Sequence, residues 1–215
     1  MTPQIRSRSV SGAPAPVVKR RALLGLALAT LVTAGCDKFL PGSKTPFNGV
    51  DITGSNLGPD FRLTDHNGKE RSLADFRGKV VTLFFGYTHC PDVCPTTLSD
   101  MAQAVKLLGP DGARVQVLFA TVDPKRDTPE LLRNYVPAFN PAFLGLYGDA
   151  AAQAKVTQDF KIYAAERPGK TPESYTVDHS AQSLVFDTKG RLRLMLPYGT
   201  AGDKIASDLR VLLNS

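Results

Sequence analysis

Ten residues, Gly86-Tyr87-Thr88-His89-Cys90-Pro91-Asp92-Val93-Cys94-Pro95, follow directly on the apolar run Val80-Val81-Thr82-Leu83-Phe84-Phe85, and few arrangements accommodate that order. The run is short, β-branched and aromatic, and bounded by Gly78 and Gly86, the pattern of a strand buried on both faces. Its end carries two thiols to the edge of a sheet. Beyond them Leu98, Met101, Val105 and Leu108 recur at three- and four-residue steps, marking the buried face of a helix. Strand, cysteine turn and helix are therefore expected in succession.

The first turn of a helix presents unpaired N–H groups and partial positive charge, which stabilise an anion such as a thiolate. A cysteine placed there ionises more readily than a free thiol, whose pKa is about 8.5. Proline at position 95 predicts that regular helix begins there, with Cys94 near the cap and Cys90–Cys94 forming a tight turn. Residues four apart on a helix have Cβ atoms roughly 5–6 Å apart, whereas a disulfide needs about 3.5–4.5 Å. Two sulfurs on one metal, each about 2.3 Å from it, sit roughly 3.7–4 Å from each other. The spacing thus favours metal sharing, and a turn around Pro91 still leaves disulfide exchange open.

Three histidines are on offer. His89 adjoins Cys90 and would have to fold back to share an ion. His66, in Asp65-His66-Asn67-Gly68, reads as a solvated turn residue. His179 stands in Val177-Asp178-His179-Ser180-Ala181, just ahead of the strand-like run Ser183-Leu184-Val185-Phe186, where a histidine by itself is more often structural than ligating.

The cysteine segment, Val122-Asp123-Pro124-Lys125-Arg126-Asp127-Thr128-Pro129-Glu130 and Val177-Asp178-His179-Ser180-Ala181 together resemble the Sco/SenC family, in the same order and at fitting separations. The resemblance covers roughly Asn56 to the C-terminus. It implies a membrane-tethered, thioredoxin-like copper-binding protein that helps assemble the dinuclear copper centre of cytochrome c oxidase. Carried over residue by residue, Cys90, Cys94 and His179 correspond to the copper ligands, whereas His89 belongs to the motif without being one. The implied partners are the copper-bearing subunit of the oxidase, other copper carriers and a thiol reductant. Soft thiolates select Cu(I) and imidazole also suits copper, in either oxidation state, whereas structural zinc is normally closed by four protein ligands. A carrier rather than an enzyme is expected. The alternative is a thiol-disulfide oxidoreductase that keeps the oxidase's copper-site cysteines reduced, with Cys90 and Cys94 as the exchanging pair. His179 discriminates the two, because only the metal site needs it.

The net charge of +6 comes mostly from the leader: Arg6, Arg8, Lys19, Arg20 and Arg21 precede residue 36 without any acid. The rest is near balance, so no nucleic-acid partner is expected. Fourteen uncharged residues, Ala22–Gly35, have the length of an export signal rather than a bilayer span. Ala34-Gly35-Cys36 resembles a bacterial lipoprotein cleavage box, in which Cys36 would carry the lipid, although Thr33 departs from the usual aliphatic residue. Arg20-Arg21 resembles a twin-arginine signal, and an uncleaved anchor is the third reading. All three place Asp37 onward outside the cytoplasm, on the periplasmic face of the inner membrane in a bacterial cell envelope. The expected organisation is a leader over 1–35, a flexible tether over 36–55 and one domain over 56–215.

Within that domain Phe61–Thr64 and Lys69–Leu73 suggest a small N-terminal hairpin, and Val115–Val122 a second buried strand. Thr128-Pro129-Glu130 starts a helix, with threonine at the cap, proline first and an acid in the first turn. Asp149 caps another through Phe160, and Lys161–Ala165 reads as a short strand. Leu184–Asp187 and Arg191–Leu196 form a hairpin across Thr188-Lys189-Gly190. Thr200 with Asp203 resembles a capping box for a last helix that turns Ile205, Leu209 and Leu212 inward. The fold class is α/β: a thioredoxin-like mixed sheet flanked by helices, in a single domain. Asp123 could orient a partner of the metal site or simply form a turn before Pro124. Tyr87 packs over the cysteine turn, and Asp178 points away from its neighbour His179. Arg167–Glu173 reads as a mobile loop that could let His179 engage or release metal.

Overall fold

The computed structural model describes residues 46–171 and 174–215. In chain order they form β1 (Val50–Asp51), β2 (Leu63–Asp65), β3 (Glu70–Arg71), β4 (Val80–Gly86), α1 (Val93–Leu107), β5 (Val115–Thr121), α2 (Pro129–Tyr135), β6 (Leu144–Tyr147), α3 (Ala150–Asp159), β7 (Ala164–Arg167), β8 (Thr176–His179), β9 (Ser183–Phe186), β10 (Leu192–Leu196) and α4 (Gly202–Leu213), with 3-10 segments at Leu73–Phe76 and Gly109–Arg114. Eight strands make one sheet in the order β1-β10-β9-β4-β5-β6-β2-β3, and β7 and β8 form a separate antiparallel ladder. The mixed, thioredoxin-like plan expected from the sequence is the one observed.

β4 is buried along its whole length and is the middle of the sheet. It runs parallel to β5 and antiparallel to β9. Its side chains alternate between two cores, Val80 and Phe84 on one face and Val81, Leu83 and Phe85 on the other, as the two-residue period of a strand requires. On the first face α1 brings Leu98, Met101 and Ala104 and α4 brings Ile205, Leu209 and Leu212. On the second, Phe61, Phe76, Val156 and Phe160 cover the sheet. Burial of such side chains stabilises by about 1.5–3 kcal/mol each.

Several local expectations are met. Thr128 accepts the Leu131 N–H at 3.2 Å and Asp149 the Ala152 N–H at 2.8 Å, so α2 and α3 start where their caps predicted. The hairpin of β9 and β10 forms around the turn at Asp187–Gly190. The two-strand hairpin β2–β3 also forms, but it joins the main sheet through β6.

Others are corrected. The tether expected over 36–55 does not reach residue 55, because β1 pairs with β10 and the buried Asp208 accepts the N–H groups of Asn48 and Gly49, each at 2.8 Å. Thr200 does not cap α4: its hydroxyl donates to the Pro197 carbonyl and Ala201 occupies the cap, one residue later. The strand expected at Lys161–Ala165 lies at Ala164–Arg167, after Lys161 turns with φ 54°. β6 carries too few residues, with Gly145 among them, to announce itself; the glycine lets β6 pack closely, since a Cβ there would lie 3.0 Å from Leu132 Cβ and 3.2 Å from Val136 Cγ2.

His66 is also corrected. It is buried, and its Nδ1 accepts the Gly145 N–H at 3.0 Å, tying the β2 turn to β6. Burial, with help from the Arg133 guanidinium and against the pull of Asp65, holds its pKa below the ordinary 6.5. A depressed imidazole pKa means the unfolded chain binds the extra proton first, so this contribution is complete above about pH 6.5 and is lost as pH falls below it. Denaturant midpoints should therefore fall between pH 7.5 and 5.5, and His66→Asn, which keeps an acceptor for Gly145 but does not titrate, should fall less steeply. Leu209→Ala, at a fully buried position on α4, should cost about 2–5 kcal/mol in urea unfolding.

Candidate metal centre

After β4 the chain turns sharply, with the Cys90 N–H donating to the Tyr87 carbonyl at 3.3 Å, and enters α1. The helix begins at Val93 with Asp92 as its cap, two residues before the start that Pro95 had suggested. Proline is tolerated there because first-turn N–H groups lack intrahelical acceptors anyway. Cys94 consequently lies inside the first turn, fully buried, and Cys90 lies half-buried on the turn before it.

Gly86 lets the buried sulfur come close. A Cβ on this residue would sit 2.8 Å from Cys94 Sγ and 2.8 Å from the Phe119 ring. His179 closes the other side at the end of β8, with Nε2 3.5 Å from Cys94 Sγ. Its Nδ1 is 2.9 Å from the Ser180 carbonyl, which can only accept, so the ring proton sits on Nδ1 and the Nε2 lone pair faces the sulfurs. The Phe84 and Tyr87 rings hold the imidazole with centroids 6.0 and 5.8 Å away, Tyr87 nearly perpendicular at 89°. The ligand atoms of Cys90, Cys94 and His179 all lie within 4.8 Å of one another. A depression of about 350 Å³, bounded by Tyr87, Pro91, Val93, Val177 and Ala181, opens beside them.

The two thiols are electrostatically unequal. Cys90 is held well below the ordinary thiol range, chiefly by hydrogen bonding from Cys94, with further help from the N–H groups of Asp92 and Cys94 and against its own partial burial. Cys94 is pushed up by that same hydrogen bond and by burial. A single proton is thus kept on the inner sulfur while the outer one is the anion. Two sulfurs and one imidazole nitrogen, converging within bonding reach of a common point and walled by aromatic rings, fit a soft, low-coordinate metal such as Cu(I).

The other candidates are placed as follows. Tyr87 packs edge-on against His179. Asp123 touches neither cysteine nor histidine. It accepts from Arg126 Nε at 2.6 Å and Tyr175 Oη at 2.7 Å, and Arg126 stacks 3.6 Å from the Tyr175 ring centroid and 5.8 Å from that of Tyr87. Asp123 is thus linked to His179 through Arg126 and the Tyr87 ring that packs against the imidazole. Asp178 pairs with Arg167 at 2.6 Å, away from the imidazole. His89 is exposed and faces Thr88 Oγ1 at 3.1 Å. The loop before β8 includes Pro172 and Glu173, and these two residues, like Cys36, lie outside the described residues. A larger depression of about 800 Å³ between Thr53–Pro59 and Gly190–Arg193 has no cysteine or histidine in its lining and so no soft-metal chemistry.

Asp127 was missed by reading the sequence. Its carboxylate is wholly buried and accepts the Thr88 N–H, the Thr88 hydroxyl and the Thr121 hydroxyl. Burial pushes its pKa up and the three donors oppose that. The available signal was its place four residues after Asp123 and directly before the Thr128-Pro129 cap, a turn whose carboxylates are held by neighbouring donors.

Iodoacetamide at pH 7 should alkylate Cys90 of the reduced, metal-free protein at least about tenfold faster than Cys94, with little change in rate between pH 8 and 6, because the thiolate is the nucleophile. Peptide mapping that found equal labelling of both cysteines would contradict the assignment of the proton to Cys94.

Residues 50–214 match the family model described as SCO1/SenC. A cow protein named Protein SCO2 homolog, mitochondrial, is 39% identical over 153 residues, 70% of this chain and 58% of that relative, so the match spans somewhat more than half of the relative's length. Among solved structures, Bradyrhizobium japonicum ScoI with copper bound superposes with a TM-score of 0.67 at 40% identity, over 73% of this chain and 99% of that one. Apo Sco1 from Thermus thermophilus superposes with a TM-score of 0.70, also at 40% identity, over 80% of this chain and 99% of that one. Since the family model takes in every element from β1 to α4 as well as the cysteine turn and His179, this chain belongs to the SCO1/SenC family.

Proposed function

We propose that this protein is a copper carrier that takes up the metal through Cys90, Cys94 and His179 and passes it to the copper-bearing subunit of cytochrome c oxidase during assembly of that enzyme. The observation that carries the reading is the convergence of two thiols and an imidazole lone pair within 4.8 Å at the mouth of a shallow depression. Three protein ligands leave an incoming donor room to bind, which is what transfer between proteins through shared ligands requires. Cys94 and His179 are held by the fold, whereas Cys90 is the partly exposed donor, so the metal is exchanged on the Cys90 side. Membership of the family, in which such sites serve oxidase assembly, supports the choice of recipient.

The carrier works on the periplasmic face of the inner membrane, tethered by lipid on Cys36 or by an N-terminal anchor. Support for this comes from the export-like leader and the cleavage-box resemblance alone. Other copper carriers supply the metal, and a thiol reductant keeps Cys90 and Cys94 reduced, as an oxidising compartment requires.

A second reading rests on the exposed, anion-favoured Cys90. Its thiolate could attack a disulfide in the oxidase subunit, and Cys94 could then displace the mixed disulfide. The partner would be left as a dithiol and this chain as a Cys90–Cys94 disulfide, with two electrons and two protons transferred. His179 has no obligatory part in that exchange.

Anaerobic titration of the reduced protein with Cu(I) against a chromophoric chelator separates the two. One copper should bind tightly, and His179→Ala should lose more than about a hundredfold in affinity, above the 10–100-fold typical of groups that merely support a ligand. Affinity indifferent to His179, together with fast disulfide exchange, would favour the reductase.

A further inference from the structure

We infer that Asp127 is a positioning residue for the metal turn, acting through Thr88 to hold Cys90 in the geometry in which it can share an ion with Cys94 and His179. This rests on the copper reading above. Asp127 lies outside the cysteine and histidine constellation, and it is not the acid at the end of β5 that the sequence picked out.

The geometry is that of a clamp. Asp127 Oδ1 accepts the Thr88 hydroxyl at 2.6 Å, Oδ2 accepts the Thr121 hydroxyl at 2.6 Å, and the Thr88 N–H lies 3.1 Å from Oδ2 and 3.3 Å from Oδ1. Thr121 is the last residue of β5, and Thr88 is the second residue after β4 and two before Cys90. The carboxylate therefore ties the cysteine turn to the neighbouring strand's end from beneath, where its side chain has no exposed surface. The clamp is itself anchored: the Asp127 N–H donates to the Asp123 carbonyl at 3.0 Å, and Thr121 Oγ1 accepts the Asp123 N–H at 2.9 Å.

A buried carboxylate is costly unless fully hydrogen-bonded, and a fold that needed only to join two loops could do so with a neutral group. What the charge adds is acceptor capacity: Oδ2 takes the Thr121 hydroxyl and the Thr88 N–H while Oδ1 takes the Thr88 hydroxyl, three donors that a carboxylate satisfies without offering a proton of its own. Clamp and charge are separable by substitution. Asn is nearly isosteric and can still accept from Thr88 while donating to Thr121 Oγ1, so Asp127→Asn removes charge with limited loss of geometry. Thr88→Val removes one clamp bond and leaves the charge, and Thr88→Ser keeps both.

The test is Cu(I) affinity by chelator competition and the Cu(II)-thiolate absorption of wild type, Asp127→Asn, Asp127→Ala, Thr88→Val and Thr88→Ser, each first checked for native fold by circular dichroism. Removing a group that orients a ligand typically costs 10–100-fold in metal affinity. Asp127→Ala should lose at least about tenfold and shift the thiolate-to-copper band, Asp127→Asn and Thr88→Val should each show part of that change, and Thr88→Ser should behave as wild type. If Asp127→Ala fails to fold, Asp127→Asn and Thr88→Val decide. Folded variants of these two with wild-type affinity and an unshifted band overturn the proposal, even where their melting temperatures are lower, since a merely structural role lowers stability alone. Should wild type itself bind no copper, it is the carrier reading that fails. The clamp is then judged on the metal-free protein, where it requires faster hydrogen exchange at the Thr88 amide and altered alkylation of Cys90 in both variants, and unchanged values overturn it.

Discussion

Backbone pairing of Val80–Gly86 to a strand on each side is the constraint on which the rest depends. Because β5 runs parallel to β4, the two strands end at the same edge, and the segments leaving them, Tyr87–Cys90 and Asp123–Asp127, are neighbours. Because β9 runs antiparallel, it begins at that edge opposite Phe84, and His179 precedes it by four residues. Three stretches far apart in sequence thus meet where one strand ends, another ends and a third begins. Burial of β4 on both faces makes the register costly to change, since a one-residue slip would exchange its two cores.

The site built at that edge holds an electrostatic imbalance. Two thiols lie close together with one buried, the Phe84 and Tyr87 rings pack edge-on against the imidazole, and a buried carboxylate stands behind them. In such surroundings a second negative charge is unfavourable, so the inner sulfur keeps its proton until a cation replaces it. A soft cation held by both sulfurs would release that proton and satisfy them at once. The close approach depends on Gly86, where any side chain would meet Cys94 Sγ, so the position that ends the strand also makes room for the buried sulfur.

Much of the chain was legible because its signals are local. The apolar run of β4, the three- and four-residue steps of α1 and the caps at Thr128 and Asp149 involve residues within a turn or two of one another, and the structure agrees with each. The failures share the opposite property. β1 is a two-residue strand sustained by β10 and by Asp208 at the far end of the chain. His66 looks like a turn residue until β6 supplies the Gly145 N–H that its ring accepts. Pro95 suggested the helix start, but any position in the first turn suits proline, so it could not distinguish Val93 from itself.

The sequence by itself determined which chemistry this protein can offer: two thiols and a histidine in motifs that resemble one family, behind a strand that must be buried. It also determined which elements form, since periodicity and capping are properties of contiguous residues. Only the tertiary structure decided that His179 turns Nε2 toward the sulfurs, that Cys94 rather than Cys90 is the buried, protonated thiol, that Asp123 pairs with Arg126 and Tyr175, and that Asp127 clamps the cysteine turn. Those outcomes depend on distance and desolvation between residues tens of positions apart, quantities that exist only once β4, β5 and β9 have been brought side by side.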